Sequence, residues 1–472
     1  MARATAGLIA LAWSLGGRAA HAEPPAPAQA VRTPTAAFSL PELVALALEA
    51  NQQVKIDVAR IDEARALVSL ATAEAYPKLK FQALFGGPTP EAQTTKINDP
   101  SELTPASFEG DFDFGELGVI FRANASLVQP VFTFGKLRAA KDAASNLVRA
   151  AEHKTDITKA EVVVNVYRAF WGYQLVRGFV ASLAEGEKIL VDVLAKVDEL
   201  LDNDSPQVTE NDRLRLIHGL ATLRVRLADA RMAEELALKA ARLLTHRPPE
   251  SPLVLVERDI DDEIPESIPA LSSSLESLST HRPEVLALDA LVKAHEEWAR
   301  FQARRMLPTF FLGGFAEYVG TTNATNQNNP FVYDRFNYFD TGIGLGVIVE
   351  LDVYTKLAEL EGAEAQLGTR LAEQAAAKEG MDLESRKLHT ELTSAYERLQ
   401  HLRRAHRAAK SWLTAEVLAY DVGTGSAREL IDAFLARAAA EGELSSTYYE
   451  VHVGLANFAR ASGTLLDRDR PQ

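Results

Sequence analysis

The chain contains no cysteine, which excludes disulfide bonds, thiolate metal sites, cysteine nucleophiles and a lipidated N-terminal cysteine. An excess of basic charge is also absent. The chain has 50 Lys and Arg residues and 65 Asp and Glu residues, so its formal net charge is −15. Phosphate binding needs clustered positive charge, so nucleic acid is not expected as a partner. The apolar fraction of 47% is nevertheless too high for a disordered chain.

Long hydrophobic runs are absent beyond the first residues, where no segment approaches the ~18–20 apolar residues of a membrane helix. A chain of this kind that enters a bilayer must do so with strands. The N-terminus has the pattern of a secretory signal peptide, with Arg3, a short apolar stretch over 7–15 and an Ala-x-Ala cleavage pattern that ends at Ala22. We therefore expect a signal peptide over residues 1–22, followed by a flexible, Ala- and Pro-rich lead-in over 23–37.

Proline is missing from two long stretches, residues 131–205 and 331–470. Because proline breaks helix interiors, these stretches permit very long helices. A helix of roughly 60 residues would be about 90 Å long at ~1.5 Å per residue, so we expect an elongated molecule. In the second stretch apolar residues recur at intervals of three and four, as in helices packed lengthwise. These residues are Leu388, Leu392, Ala395, Leu399 and Leu402, and later Leu444, Tyr448, Val451, Leu455 and Phe458.

More than half of the aromatic residues fall in two zones, 76–134 and 310–354. In both zones apolar residues alternate at period two with polar or small residues, a pattern typical of strands in transmembrane barrels. An amphipathic hairpin in a soluble domain shows the same pattern. The export signal and the aromatic enrichment, which suits interfacial girdles, favour the barrel. We predict four strands, over about 78–87, 117–132, 309–320 and 338–351.

The two halves of the chain form a tandem repeat, since residues 54–77 align without a gap on 285–308. Each copy reads as helix, two-stranded hairpin and two long helices. Four strands cannot close a barrel and an open sheet edge cannot face lipid, so several chains must contribute. Three chains would supply twelve strands, an ordinary number. The expected division is a first repeat, a connector, a second repeat and a tail, over 38–245, 246–279, 280–466 and 467–472.

Short segments in both halves carry a family resemblance: Leu48-Glu49-Ala50-Asn51, Gln129-Pro130-Val131-Phe132, Arg282-Pro283-Glu284 and, most specifically, residues 420–433. On these segments the chain resembles the TolC family of outer-membrane efflux proteins, over nearly all of its length after the signal peptide. The resemblance implies a mixed fold, an α-helical barrel joined to a transmembrane β-barrel. In the implied homotrimer, a twelve-stranded barrel in the outer membrane continues into a tunnel of coiled-coil helices across the periplasm.

The resemblance also implies a function and partners. The protein would be the passive exit duct of a tripartite efflux or type I secretion system, located in the outer membrane of a Gram-negative bacterium in contact with its lipid. A periplasmic adaptor (membrane fusion) protein would couple it to an inner-membrane transporter. The adaptor would dock at the tip between the last two long helices, on Tyr420, Gly423, Thr424, Gly425 and Ser426.

Two positions depart from the family pattern. Pro206 stands at the first tip where Gly423 stands at the second. Because proline cannot adopt the left-handed conformation that ends many helices, the two tips should differ in shape, which puts adaptor docking at the first tip in doubt. Residues 350–353 replace a proline and an aromatic residue of the family, which leaves the local strand-to-helix transition open.

Glu429 and Asp432 are candidate acids of a periplasmic gate. They are three residues apart on a predicted helix, so their carboxylates share one face. The resemblance implies that this face points into the narrow end of the tunnel, where three copies would form a ring of acids that favours cations. A structural interpretation competes for Glu429, because Ser426-x-x-Glu429 is also a capping-box pattern. That interpretation does not extend to Asp432, which lies too deep in the helix.

Patterns for catalysis or cofactor binding are missing. The His residues are scattered, without the paired spacing and Glu of a zinc site. The glycines of Gly342-x-Gly344-x-Gly346 lie inside an apolar strand, which favours small lumen-facing residues over a nucleotide loop. We expect no enzyme activity, no cofactor and no metal. A non-conducting coiled-coil scaffold of the periplasm or outer membrane is the main alternative to a duct, and a soluble enzyme is the third.

Overall fold

The computed structural model describes residues 37–92, 112–203, 208–248, 251, 253–261, 264–324, 334, 336–422 and 424–468. Several predictions concern residues outside these ranges. They are the signal peptide, the lead-in apart from its last residue, Pro206, Gly423 and most of the tail.

The described residues form nine helices and four strands. In chain order these are α1 (Leu40–Ala50), α2 (Gln52–Ala73), β1 (Lys78–Ala92), β2 (Phe112–Phe132), α3 (Lys136–Asp202), α4 (Glu210–Leu244), α5 (Leu271–His281), α6 (Pro283–Arg304), β3 (Thr309–Thr321), β4 (Tyr338–Ile348), α7 (Val353–Asp421), α8 (Ala427–Ser462) and α9 (Leu465–Arg468). The order from α2 to α4 is the same as the order from α6 to α8. Both halves of the chain therefore contain the same series of helix, hairpin and two long helices.

The four strands form one antiparallel sheet in the order β1-β2-β3-β4. The first hairpin is longer than the alternation predicts, because β1 ends at Ala92 and β2 begins at Phe112. β1 continues past residue 87, through Pro88 and Pro90, because it is an edge strand of the sheet, where proline is tolerated. Two register shifts, between Gly86 and Thr89 and between Thr89 and Glu91, accommodate these prolines. β4 ends earlier than predicted, at Ile348.

The two longest helices, α3 with 67 residues and α7 with 69 residues, make the molecule elongated. At ~1.5 Å per residue each is about 100 Å long. The predicted coiled-coil contact is confirmed in the C-terminal half of α7, where Leu392, Ala395 and Leu399 are at most 4% exposed. They pack in two apolar clusters with residues of α8, which include Val451 and Tyr448.

The predicted connector between the repeats is packed rather than loose. Leu253 and Leu255 are buried in the largest apolar cluster, beside Phe170 and Trp171 of α3. Leu255 also forms a parallel β-bridge with Phe38. The connector contains most of α5, a helix that the proline- and serine-rich sequence did not suggest.

A buried lysine fixes the junction between β4 and α7. The Nζ atom of Lys356 lies 2.7 Å from Oε2 of Glu350 and 3.2 Å from Oδ1 of Asp352. It also donates to the carbonyl oxygen of Arg305, at 3.3 Å. Lys356 is only 2% exposed. Lys356 thus joins two acidic residues of the segment that departs from the family pattern, and Asp352 is the N-cap of α7.

The junction between β2 and α3 uses a different device. Phe134 and Gly135 both have positive φ angles, 51° and 77°, a conformation that glycine adopts readily and phenylalanine rarely. Arg304 donates to the carbonyl oxygen of Gly135 at 3.0 Å. Lys136 donates to Oγ1 of Thr309 at 2.8 Å, which ties the start of α3 to the start of β3.

Four charged side chains join α6, α7 and α8 near the start of α6. Arg282 is 3% exposed, pairs with Glu384, and places Nε 3.3 Å from Oε2 of Glu284. Arg460 contacts both acids, at 2.6 Å from Glu384 and 3.3 Å from Glu284. Burial alone would raise the pKa of Glu384, but the hydrogen bonds and charges of Arg282 and Arg460 outweigh it and lower that pKa.

We expect Glu384→Gln to destabilise the protein near neutral pH and much less in acid. A carboxylate with a lowered pKa stabilises the fold above its ordinary pKa of 4.5 and loses that contribution as the pH falls through the lower folded value. The loss near neutral pH should be about 1 kcal/mol, because glutamine keeps a hydrogen bond and the site is partly open to solvent.

Denaturant unfolding of the detergent-solubilised protein, followed by circular dichroism at neutral pH and below the ordinary pKa of glutamate, measures this difference. Glu379→Gln, at an exposed position on the same helix, is the control and should have little effect at either pH. Equal destabilisation by Glu384→Gln at both pH values would contradict the assignment.

Candidate functional site

The sheet has two chemically different faces. Residues paired across neighbouring strands point to the same side, so the register assigns each strand residue to a face. One row across the four strands consists of Gln82, Asn124, Glu317 and Asp340. Arg122 lies on the same face, with Nε 3.7 Å from Oε1 of Glu317. We call this side the polar face, and its charged and amide groups suit contact with water.

The opposite side, the apolar face, carries almost only hydrophobic side chains. They include Leu79, Phe81, Phe85, Phe121, Leu127, Leu312, Tyr318, Phe339, Ile343, Leu345 and Val347. Phe81 is 68% exposed and Leu345 is 83% exposed in the single chain. A continuous exposed apolar surface of this kind marks contact with lipid or with another protein.

The sheet also has two open edges. β1 and β4 are the outer strands, and in the described part of the chain neither has a partner strand on its outer side. Free backbone N–H and C=O groups along a strand are a template for pairing with another chain. In an apolar environment these groups must be paired, because no water is present to satisfy them.

The turn between α7 and α8 is held by one carbonyl group. The carbonyl oxygen of Ala419 accepts hydrogen bonds from the backbone N–H groups of Thr424 and Gly425, each at 2.9 Å. Gly425 is required by close packing, because a Cβ atom there would lie 2.7 Å from the backbone nitrogen of Tyr420. Gly425 therefore occupies a place where a larger residue does not fit.

The capping box predicted at the start of α8 is half formed. Oγ of Ser426 accepts from the N–H group of Glu429 at 3.2 Å, while the Glu429 side chain is exposed. At the matching turn before α4, Thr209 and Asp212 form both hydrogen bonds of the box. The Glu429 carboxylate therefore does not complete the capping box.

Tyr420, which the resemblance places in the adaptor-docking tip, lies inside the turn between α7 and α8. Its side chain is 6% exposed and packs in an apolar cluster at the tip with Val197, Leu216 and Leu430. Burial, with a smaller contribution from the charge of Asp212, raises the pKa of Tyr420. Tyr420 supports the turn from inside. Of the other predicted docking residues, Thr424 and Ser426 are exposed, Gly425 is half-buried and Gly423 lies outside the described residues.

The two candidate gate acids have different surroundings. Asp432 is exposed and has a cation nearby, with its Oδ2 atom 4.0 Å from Nε of Arg428. It lines a groove between α4 and α8, whereas Glu429 is not among the residues that line this groove. Arg428 was not predicted, although it stands four residues before Asp432, the spacing at which helical side chains meet.

The groove beside Asp432 has a volume of about 890 Å³. Its floor is apolar and includes Leu190, Leu223 and Phe434, while Arg215, Arg226 and Arg428 contribute positive charge. The sequence reasoning missed Arg215 and Arg226. Their spacing of eleven residues places them on one side of α4, but a helix side alone does not show which neighbouring helix it faces.

Two further properties concern the described residues as a whole. No helix among them is long and apolar enough to cross a membrane. Within the same residues, no group of three or more His, Asp and Glu side chains is arranged to hold a metal ion.

The sequence matches the family described as outer membrane efflux protein over residues 43–192 and 275–464. The chain belongs to this family. The resemblance to TolC-type proteins seen in the sequence is therefore confirmed, and the protein is located in the outer membrane and extends into the periplasm. No curated protein matches the sequence.

Solved structures of outer-membrane channels share the fold. The outer-membrane channel OprN is 19% identical with a TM-score of 0.70, over 90% of this chain and 89% of that chain. The Neisseria gonorrhoeae MtrE channel, in its open state, is 18% identical with a TM-score of 0.71, over 92% and 91%. The Campylobacter jejuni CmeC channel is 16% identical with a TM-score of 0.67, over 90% and 86%. This efflux-family member thus has the outer-membrane channel fold predicted from its sequence.

We expect Gly425→Ala to loosen the turn between α7 and α8. The added methyl group would overlap the backbone of α7, so the two hydrogen bonds to Ala419 should break at a cost of about 1–3 kcal/mol. Limited proteolysis of the detergent-solubilised protein should then cleave this turn faster than in the wild type. Thr424→Ala is the control, because it removes one side-chain hydrogen bond of 3.2 Å without adding atoms. Cleavage of Gly425→Ala at the wild-type rate would contradict this explanation of the glycine.

Proposed function

We propose that the protein is the passive exit duct of a tripartite efflux or type I secretion system. Three copies pair their sheet edges into a twelve-stranded barrel in the outer membrane, and the long helices continue it as a tunnel across the periplasm. The helix tips dock on a periplasmic adaptor protein that couples the duct to an inner-membrane transporter.

The two-faced sheet with open edges is the observation that carries this proposal. A closed barrel places the apolar face against lipid, the polar face against a water-filled passage, and pairs the outer edges of β1 and β4. One chain supplies four strands, too few for a barrel with an aqueous passage. Three chains supply enough, and they leave every strand with two neighbours.

The tip between α7 and α8 is the proposed contact for the adaptor. Its exposed residues include Thr424 and Ser426, with Gly425 shaping the turn and Tyr420 supporting it from the core. Glu429 and Asp432 are the proposed selectivity acids at the periplasmic end of the passage. Arg428 offsets part of their charge, so the cation preference they produce is moderate.

Planar bilayer recording of the purified protein tests the proposal. The wild-type protein should conduct and prefer cations in a salt gradient. Glu429→Gln with Asp432→Asn should lower that preference, because it removes two negative charges from each chain near the passage. Arg428→Gln is the matched control on the same helix, and it should shift the reversal potential in the opposite direction.

The possible results test separately whether the protein is a duct and whether Glu429, Asp432 and Arg428 line its passage. A folded, inserted wild-type protein without conductance would contradict the duct and favour a non-conducting coiled-coil scaffold. Conductance with an unchanged reversal potential in all variants would mean that these residues do not line the passage, while the duct itself would stand.

A further inference from the structure

Large and small residues face each other across β3 and β4 on the polar face. Phe311 is paired with Gly346, and Phe315 is paired with Gly342. Between these two pairs, Gly313 is paired with Gly344. Both aromatic residues of this face of β3 therefore have a glycine as their direct partner.

Each aromatic ring lies over its partner glycine. A Cβ atom built on Gly342 would lie 2.5 Å from Cε1 and 2.9 Å from Cζ of Phe315. A Cβ atom on Gly346 would likewise overlap the ring of Phe311, at 2.6 Å from Cε1. Real Cβ atoms do not approach a ring so closely, so any other residue at 342 or 346 must displace the ring.

Gly344 has the opposite surroundings. It lies on the same strand and the same face, between the other two glycines, yet a Cβ atom there would meet no heavy atom within 4 Å. The absence of a side chain at 342 and 346 is therefore explained by the rings, and not by a general need for glycine along β4. Gly344 supplies a matched control within the same strand.

The rings stand on the side that carries Gln82, Asn124, Glu317 and Asp340, although phenylalanine is apolar. Phe315 is 50% exposed in the single chain. Glycine inside a strand lowers stability and often marks a place where another group approaches closely. An aromatic ring that covers the glycine from the neighbouring strand recovers part of that stability. The pairs thus place bulky side chains on the polar face while keeping them close to the sheet.

We propose that Gly342 and Gly346 hold the rings of Phe315 and Phe311 against the sheet and thereby set the width of the passage through the barrel. This inference rests on the proposed function, in which the polar face lines the passage. A methyl group at position 342 or 346 occupies the place of the ring. The sheet blocks one side, so the ring turns away from the wall and into the passage, once in each of the three chains.

The size of polymer that enters the barrel reports this width. Poly(ethylene glycol) of graded mass is added to the extracellular side of the reconstituted protein in a planar bilayer, and the largest polymer that still lowers the conductance is recorded. This cutoff reports the barrel part of the duct, even where the periplasmic end limits the total current. We expect the cutoff to shift to smaller polymers in Gly342→Ala and Gly346→Ala, and to stay at the wild-type value in Gly344→Ala.

Removal of the ring provides an independent variant. Phe315→Ala should keep or raise the cutoff, and Gly342→Ala combined with Phe315→Ala should lose the shift of the single glycine variant, because no ring remains to be displaced. If Gly342→Ala alone does not fold into a stable oligomer, Gly346→Ala still tests the inference, because it displaces the ring of Phe311 instead.

Three results would overturn the inference. They are an unchanged cutoff in Gly342→Ala and Gly346→Ala, an equal shift in Gly344→Ala, or a shift that persists in the double variant. In each case the wild-type protein conducts and the proposed function stands. A wild-type protein without conductance would contradict the proposed function and this inference together.

Discussion

Backbone N–H and C=O groups along the outer edges of β1 and β4 need hydrogen-bond partners, and this need governs the proposed assembly. Among the residues that the structure describes in one chain, these edges are open and the apolar face beside them is broadly exposed. Hydrocarbon offers no hydrogen bonds, so a sheet with such a face is stable in a membrane only when its edges are closed by further strands. In the proposed trimer, association of identical chains meets this demand without any additional element.

The two longest helices, α3 and α7, follow directly after the strands β2 and β4. Each hairpin passes into a long helix at a short junction, and two different devices fix the two junctions. After β4, Lys356 contacts two carboxylates and a carbonyl oxygen. After β2, the positive φ angles of Phe134 and Gly135 turn the chain. Apolar clusters then hold α3, α4, α7 and α8 together as far as the tip. A repeat in the sequence thus gives similar elements with unlike connections.

Local patterns in the sequence were sufficient to predict the four strands, the coiled-coil contact of α7 with α8 and the family. Periodicities of two and of three to four depend only on neighbours along the chain. Other features depend on contacts between residues far apart in sequence. The burial of Tyr420, the groove that Arg215 and Asp432 both line, and the aromatic–glycine pairs require the helix packing or the strand register. The helix α5 was missed because its serines and the nearby prolines resemble a loop.

In the proposed trimer β1 of one chain pairs with β4 of the next, and engineered disulfide bonds can detect this pairing. The chain has no cysteine, so Gln82→Cys in β1 can be combined with single cysteines placed in turn along β4. Disulfides form only between closely opposed strands. We expect a covalent trimer on non-reducing gels for at least one position in β4, and none for Gln82→Cys alone. A folded, membrane-inserted protein that stays monomeric at every position would contradict it.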